Sequence, residues 1–154
     1  MAPPTVLIAY DGSAHADAAV DEAARLFPGA KAVVVTAWTS VGEAAAAART
    51  ALSDSFIEQA VARMDAEATA DAQAVADAGA ERARAAGLEA SAQTAEAERQ
   101  VWPALLRAAD AAGAAAIVMG SRGRTALRSA LLGSVSQGAL NNATLPVVIA
   151  RAVD

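Results

Sequence analysis

Three glycines and a serine, Gly120, Gly123, Gly133 and Ser134, stand at the spacing G-x2-G-x9-G-S within IVMGSRGRTALRSALLGSVSQGAL, residues 117–140. The chemistry this spacing suits is phosphate binding. Glycine lets the backbone turn with positive φ and approach a ligand closely, and free N–H groups at a helix start attract anions. With glycine at about 7% of residues, a chance match in a chain of this size is on the order of one in a few hundred. It is a different motif from the two common nucleotide fingerprints. The lysine of G-x4-G-K-[ST] is missing, and G-x-G-x-x-G occurs nowhere in the chain.

The surrounding charge fits the same chemistry. Residues 1–110 hold sixteen acids and eight bases, whereas residues 111–154 hold Arg122, Arg124, Arg128 and Arg151 against Asp154 alone. Three arginines beside a glycine loop suit a compact polyanion such as a nucleotide phosphate, or else form a solvated face. The net charge of −5 argues against nonspecific nucleic-acid binding. Asp11, in the turn Asp11-Gly12-Ser13, has two readings: it accepts from a ribose or helps hold magnesium, or it makes an Asx turn or cap. Ser134 and Ser136 either donate hydroxyls to phosphate or cap a helix. With no cysteine and one histidine, disulfides, thiolate metal sites and histidine-rich metal sites are excluded. His15 reads as an exposed residue without a catalytic task, and the acids Glu58, Asp65, Glu67, Asp71, Asp77 and Glu81 as a solvated helix face.

These residues need a scaffold, and the periodicities supply one. Residues 5–10 (TVLIAY), 31–38 (KAVVVTAW), 114–119 (AAAIVM) and 146–150 (PVVIA) read as buried strands, and 88–95 (LEASAQTA) as at best an edge strand. Helices are predicted over 13–27, from Asp54 to Ala86, from Pro103 to Ala112 and from Ser134 to about Ala143. In the long helix Ile57, Val61, Met64 and Val75 are expected to form the inward stripe. Residues 39–53 read as a loop or poorly defined helical excursion. Five strands alternating with four helices, in 154 residues, predict a single α/β domain: a doubly wound five-stranded parallel sheet with helices on both faces. In the order 3-2-1-4-5 the loops after the first and fourth strands face one another at the switch point, where such sheets bind ligands. The start lacks a basic n-region and no apolar run reaches the roughly 18 residues of a membrane span, so a soluble cytoplasmic protein is expected.

Taken in order, VLIAYDGS, IVMGSRGR, LLGSVSQ and LPVVIA make the chain resemble the universal stress protein family over nearly its whole length. In that family G-x2-G-x9-G-[ST] marks the ATP-binding branch, and every position is kept here. The resemblance implies that Asp11 contacts the ribose region, that backbone at Ala9 and Ala37 lies against adenine and sugar, and that Met119 and Gly120 line the nucleoside. It places Arg122, Gly123, Gly133, Ser134, Val135 and Ser136 around the phosphates. ATP with Mg2+ is the expected ligand, and a homodimer through residues 146–150 the expected assembly, in a nucleotide-dependent stress-response role. The competing readings are a slow ATPase or adenylate-transfer enzyme, and a cyclic-AMP-binding or structural dimer module. One departure is Trp102, where most relatives have a polar residue capping the third helix. Trp38 and Trp102 otherwise read as core or rim anchors, with Trp38 close to the expected adenine pocket.

Overall fold

The apolar runs and alanine stripes become elements in the expected order. The computed structural model describes residues 2–42, 45–46, 53–124 and 132–153. They form β1 (Thr5–Ala9), α1 (Ala14–Leu26), β2 (Lys31–Thr39), α2 (Asp54–Ala85), β3 (Glu89–Ala97), α3 (Val101–Ala112), β4 (Ala116–Gly120), α4 (Ser134–Asn142) and β5 (Val147–Ala150). Most of the excursion read over 39–53, and Arg128, lie outside the described residues. The sheet is parallel throughout, in the order β3-β2-β1-β4-β5. β3 is an edge strand, as its weak alternation predicts, paired with β2 along all nine residues.

Strand alternation sorts the core onto two faces. Val6 and Ile8 of β1, Val34 of β2 and Val118 of β4 pack against Ala16, Ala19, Val20 and Ala23 of α1 and Ala80 and Ala83 of α2. Leu7, Val35, Ile117 and Met119 face the opposite way, against Leu105 and Ala109 of α3 and Ala139 of α4. Small residues on the helices let backbone and sheet approach closely, which is why a core with so few aromatic rings has several fully buried aliphatic side chains at its centre.

The helix boundaries have local causes. Ser13 caps α1, its Oγ accepting from Ala16 N–H at 3.1 Å. α1 ends at Leu26, before Pro28, and Gly29 turns with φ +73°. The N-cap position of α2 is Ser53 rather than Asp54, without a side-chain cap bond, and Gly87, at φ +96°, follows the helix where a glycine in the left-handed region ends it. α3 begins at Val101, two residues before Pro103; its N-cap, Gln100, makes no side-chain cap bond. A proline in the first turn costs no helix hydrogen bond, so Trp102 does not prevent the start.

In α2 the expected stripe is only partly correct. Ile57 is buried, but Met64 is 51% exposed, and the other buried positions are Ala72, Ala76, Gly79, Ala80 and Ala83. A helix of 32 residues spans about 48 Å, whereas a nine-residue strand spans about 30 Å. The carboxyl-terminal part of α2 therefore covers the sheet, and Phe56 and Met64, in its first third, stay in solvent.

Candidate functional site

The register of β1 against β4, Val6 with Ala116 through Ile8 with Val118, brings the carboxyl ends of these strands side by side. The chain leaves β1 and β4 toward opposite layers, α1 on one face and α4 on the other, and a cavity of about 400 Å3 opens between them. Ligand pockets of small molecules begin at roughly this size. Its apolar wall is formed by Ala9, Val35, Ala37, Val101, Leu105 and Met119, and its polar end by Asp11, Arg122, Ser134 and Ser136, with Gly120, Gly123, Gly133 and Val135 between. The structure thus gathers around one cavity all eleven residues that the family resemblance assigns to a nucleotide, though not Arg124. Tyr10, Ala16, Val35, Val101, Leu105 and Leu132 also line it and were not anticipated. Val101 and Leu105 lie one turn apart on α3, and that spacing was the available signal; Tyr10 follows β1 directly. Neither Trp38 nor Trp102 lines the cavity.

The glycines act differently from the sequence expectation. None of Gly120, Gly123 and Gly133 has positive φ; the positive-φ glycine at this site is Gly12, at +79°. What matters at Gly120 and Gly123 is the missing side chain. A Cβ on Gly120 would meet His15 Cβ at 2.7 Å, and one on Gly123 would meet Asp11 Oδ2 at 2.9 Å. Gly133 is looser, its nearest neighbours at 3.6 Å.

Asp11 makes the Asx turn and more. Its Oδ1 accepts from Ser13 N–H at 2.9 Å and its Oδ2 from Arg124 N–H at 3.0 Å, so one carboxylate ties the β1 loop to the glycine loop. Ser136 does not offer its proton to a ligand, because its buried hydroxyl donates to Gly120 O at 2.7 Å. Neither Ser134 nor Ser136 is the cap of α4; Gly133 is. Gly133 N–H donates to Ser121 O at 2.7 Å, and the bond from Gln137 N–H to Gly133 O closes the first turn. The N–H groups of Ser134, Val135 and Ser136 precede that bond and have no intrahelical acceptor, leaving donors at the positive end of a helix dipole. Arg122 adds a cation whose Nε is buried without a hydrogen-bond partner among the described residues. A buried unpaired donor is costly unless something accepts from it. Three amides without an intrahelical acceptor, a helix terminus and a guanidinium nitrogen with no partner among the described residues together fit an anion.

Tyr10 braces the opposite side. Its ring fills the space over Gly79 of α2, and its hydroxyl donates to Asp17 Oδ1 at 2.7 Å. Burial, helped by that hydrogen bond, pushes the phenol up to about 12. Asp17 and Asp21 in turn meet Arg82 at 3.8 and 2.8 Å. Tyr10 O accepts from Thr36 Oγ1 at 2.7 Å, which stitches the ends of β1 and β2 beside the cavity. His15 is not the free surface residue its position suggested. It is half-buried, and Ala152 N–H donates to its Nδ1 at 3.0 Å.

Comparison with known proteins agrees with this architecture. The sequence profile described as the universal stress protein family matches residues 4–151. A Thermus aquaticus protein, "Universal stress protein in QAH/OAS sulfhydrylase 3'region", is 37% identical over 156 residues, covering 96% of this chain and 98% of its own. The fold is shared with a universal stress protein solved in complex with cAMP (TM-score 0.67, 23% identity, 99% of this chain and 100% of that one). It is shared too with one from Archaeoglobus fulgidus solved in complex with dAMP (TM-score 0.60, 22% identity, 96% and 97%). A profile match across nearly the whole chain, joined to 37% identity with the Thermus protein over almost the full length of both, places this chain in the universal stress protein family.

Proposed function

We propose that the cavity binds ATP and that the protein serves as a nucleotide-dependent regulator in the stress response. The observation that carries this reading is the anion end of the cavity, where the Ser134 and Val135 amides, without intrahelical acceptors, and Arg122 Nε, without a partner among the described residues, stand beside Gly123 and Gly133. Donors of that kind suit phosphate oxygens. The apolar wall of Ala9, Ala37, Val101, Leu105 and Met119 suits a base and sugar. The structural neighbours named with cAMP and dAMP support an adenine nucleotide as the class of ligand.

Asp11 is the sole carboxylate among the described lining residues, and no cluster of three metal-ligating side chains occurs among them. Magnesium would therefore enter on the phosphates, with Asp11 as its protein contact, and would supply charge neutralisation. No described lining residue is lysine, histidine or glutamate. Hydrolysis needs a group to orient water, so binding is the better reading than turnover. β5 is the edge strand opposite β3, with Val147, Val148 and Ile149 half-buried, and this edge is where we place the contact with a second copy.

Isothermal titration with ATP and magnesium tests the reading. Heat of binding at submillimolar nucleotide is expected, and a flat titration would refute it. Competition with cAMP distinguishes a polyphosphate site from a cyclic-nucleotide site. Light scattering with and without ATP tests the dimer.

A further inference from the structure

Three parts of the chain meet at His15. Its Nδ1 lies 3.0 Å from the amide nitrogen of Ala152, two residues beyond β5, and 3.3 Å from the hydroxyl of Ser121, directly after β4. A backbone N–H can only donate, so Nδ1 is the acceptor and the neutral ring carries its proton on Nε2. The first turn of α1 is seated directly on the end of β4, where a Cβ added at Gly120 would collide with the Cβ and backbone of His15. Ser121 is 1% exposed, its N–H donates to Ala150 O at 2.8 Å and its C=O accepts from Gly133 N–H at 2.7 Å. The end of β5, the cap of α4 and the first turn of α1 are thus joined at one buried serine and one imidazole.

We propose that neutral His15 is a latch holding the segment after β5 against the end of β4, and that protonation opens it. A proton taken from water onto the Nδ1 lone pair leaves an N–H facing the Ala152 N–H, donor against donor, and the amide loses its acceptor. The charged groups on the elements around the ring are otherwise engaged or unpaired with it. On α1 and its leading loop, Asp11 accepts from Ser13 and Arg124 amides, and Asp17 accepts from Tyr10 and meets Arg82. Arg122 and Arg124 follow β4 and Arg151 follows β5; none of them could offset the new positive charge, and no described carboxylate forms an ion pair with the ring. The latch does not depend on what the cavity binds.

Nitrogen-15 NMR of the full chain between pH 8 and 5 tests it, reading the imidazole nitrogens and the Ala152 amide. Ala152 hydrogen exchange, corrected for its intrinsic pH dependence, should accelerate about tenfold as the ring charges, the effect of losing one hydrogen bond. His15→Asn, whose amide oxygen accepts but does not titrate, should keep Ala152 protected and abolish the pH step. His15→Leu should expose Ala152 at every pH. The proposal is overturned if Nδ1 carries the proton at pH 8, if Ala152 protection is unchanged through the ring's titration, or if His15→Asn shows the same step. Should His15→Leu fail to fold, the wild-type titration and His15→Asn decide the matter.

Discussion

Asp11 Oδ2 accepts from the Arg124 amide at 3.0 Å, joining residues 113 apart, and it occupies the space that a Cβ on Gly123 would need, 2.9 Å away. The glycine and the carboxylate are thus parts of one arrangement. Gly123→Val should weaken ATP binding about tenfold or more, because the carboxylate is displaced and the loop with it. Stability should fall by only about 1 kcal/mol, the scale of one partly exposed hydrogen bond. A double-mutant cycle of Gly123→Ala with Asp11→Ala, read by titration calorimetry, should be strongly non-additive. Additive losses would show that the two residues act separately.

Gly138 of α4 lies beneath the indole of Trp102 from α3, so an added methyl would run into the ring. Alanine gains up to about 1 kcal/mol of helix propensity over glycine, but overpacking of this kind costs about 1–3 kcal/mol. Gly138→Ala should therefore lower stability in urea by about 1 kcal/mol and shift the Trp102 fluorescence. In a Trp102→Leu background the same change should become neutral or stabilising. Gly133→Ala, whose Cβ would rest at 3.6 Å from its neighbours, should leave the unfolding midpoint of the ligand-free protein nearly unchanged.

Tyr10 gives the fold an alkaline signature. Its phenol is pushed from the ordinary 10 up to about 12, by burial first and then by the hydrogen bond to Asp17. Because the folded state holds this proton more tightly than the unfolded chain, the associated stability is complete below pH 10 and is lost as pH rises toward 12. At about 1.4 kcal/mol per unit this amounts to about 2–3 kcal/mol. Urea unfolding across pH 9 to 12 should show the decline, and Tyr10→Phe should flatten it. An unchanged slope in Tyr10→Phe would assign the decline elsewhere.

The sheet order and the meeting of the two loops were legible because valine-rich runs and turn residues report their own local structure. Gly120, Gly123 and Gly133 could be picked out by spacing alone, but the reason for them could not. Their φ values are ordinary, and the spaces left at Gly120 and Gly123 are claimed by His15 and Asp11, more than a hundred residues earlier. His15 shows the same limit: a lone histidine on an alanine-rich helix carries no sequence mark of its contact with Ala152. Met64 was misplaced because periodicity describes a helix face without saying how far the sheet beneath it extends. Ser136 looked like a phosphate donor by type, and only geometry shows its proton committed to Gly120.

The walls of the cavity are drawn from residues 9–16, 35–37, 101–105, 119–123 and 132–136, so no continuous piece of the chain contains it. A fragment ending before β4 would present an open trough with one bank missing. Any molecule seated there acts as a rivet through separate crossover units, and the fraction of sites filled becomes a gauge of how much of the population has its whole sheet assembled.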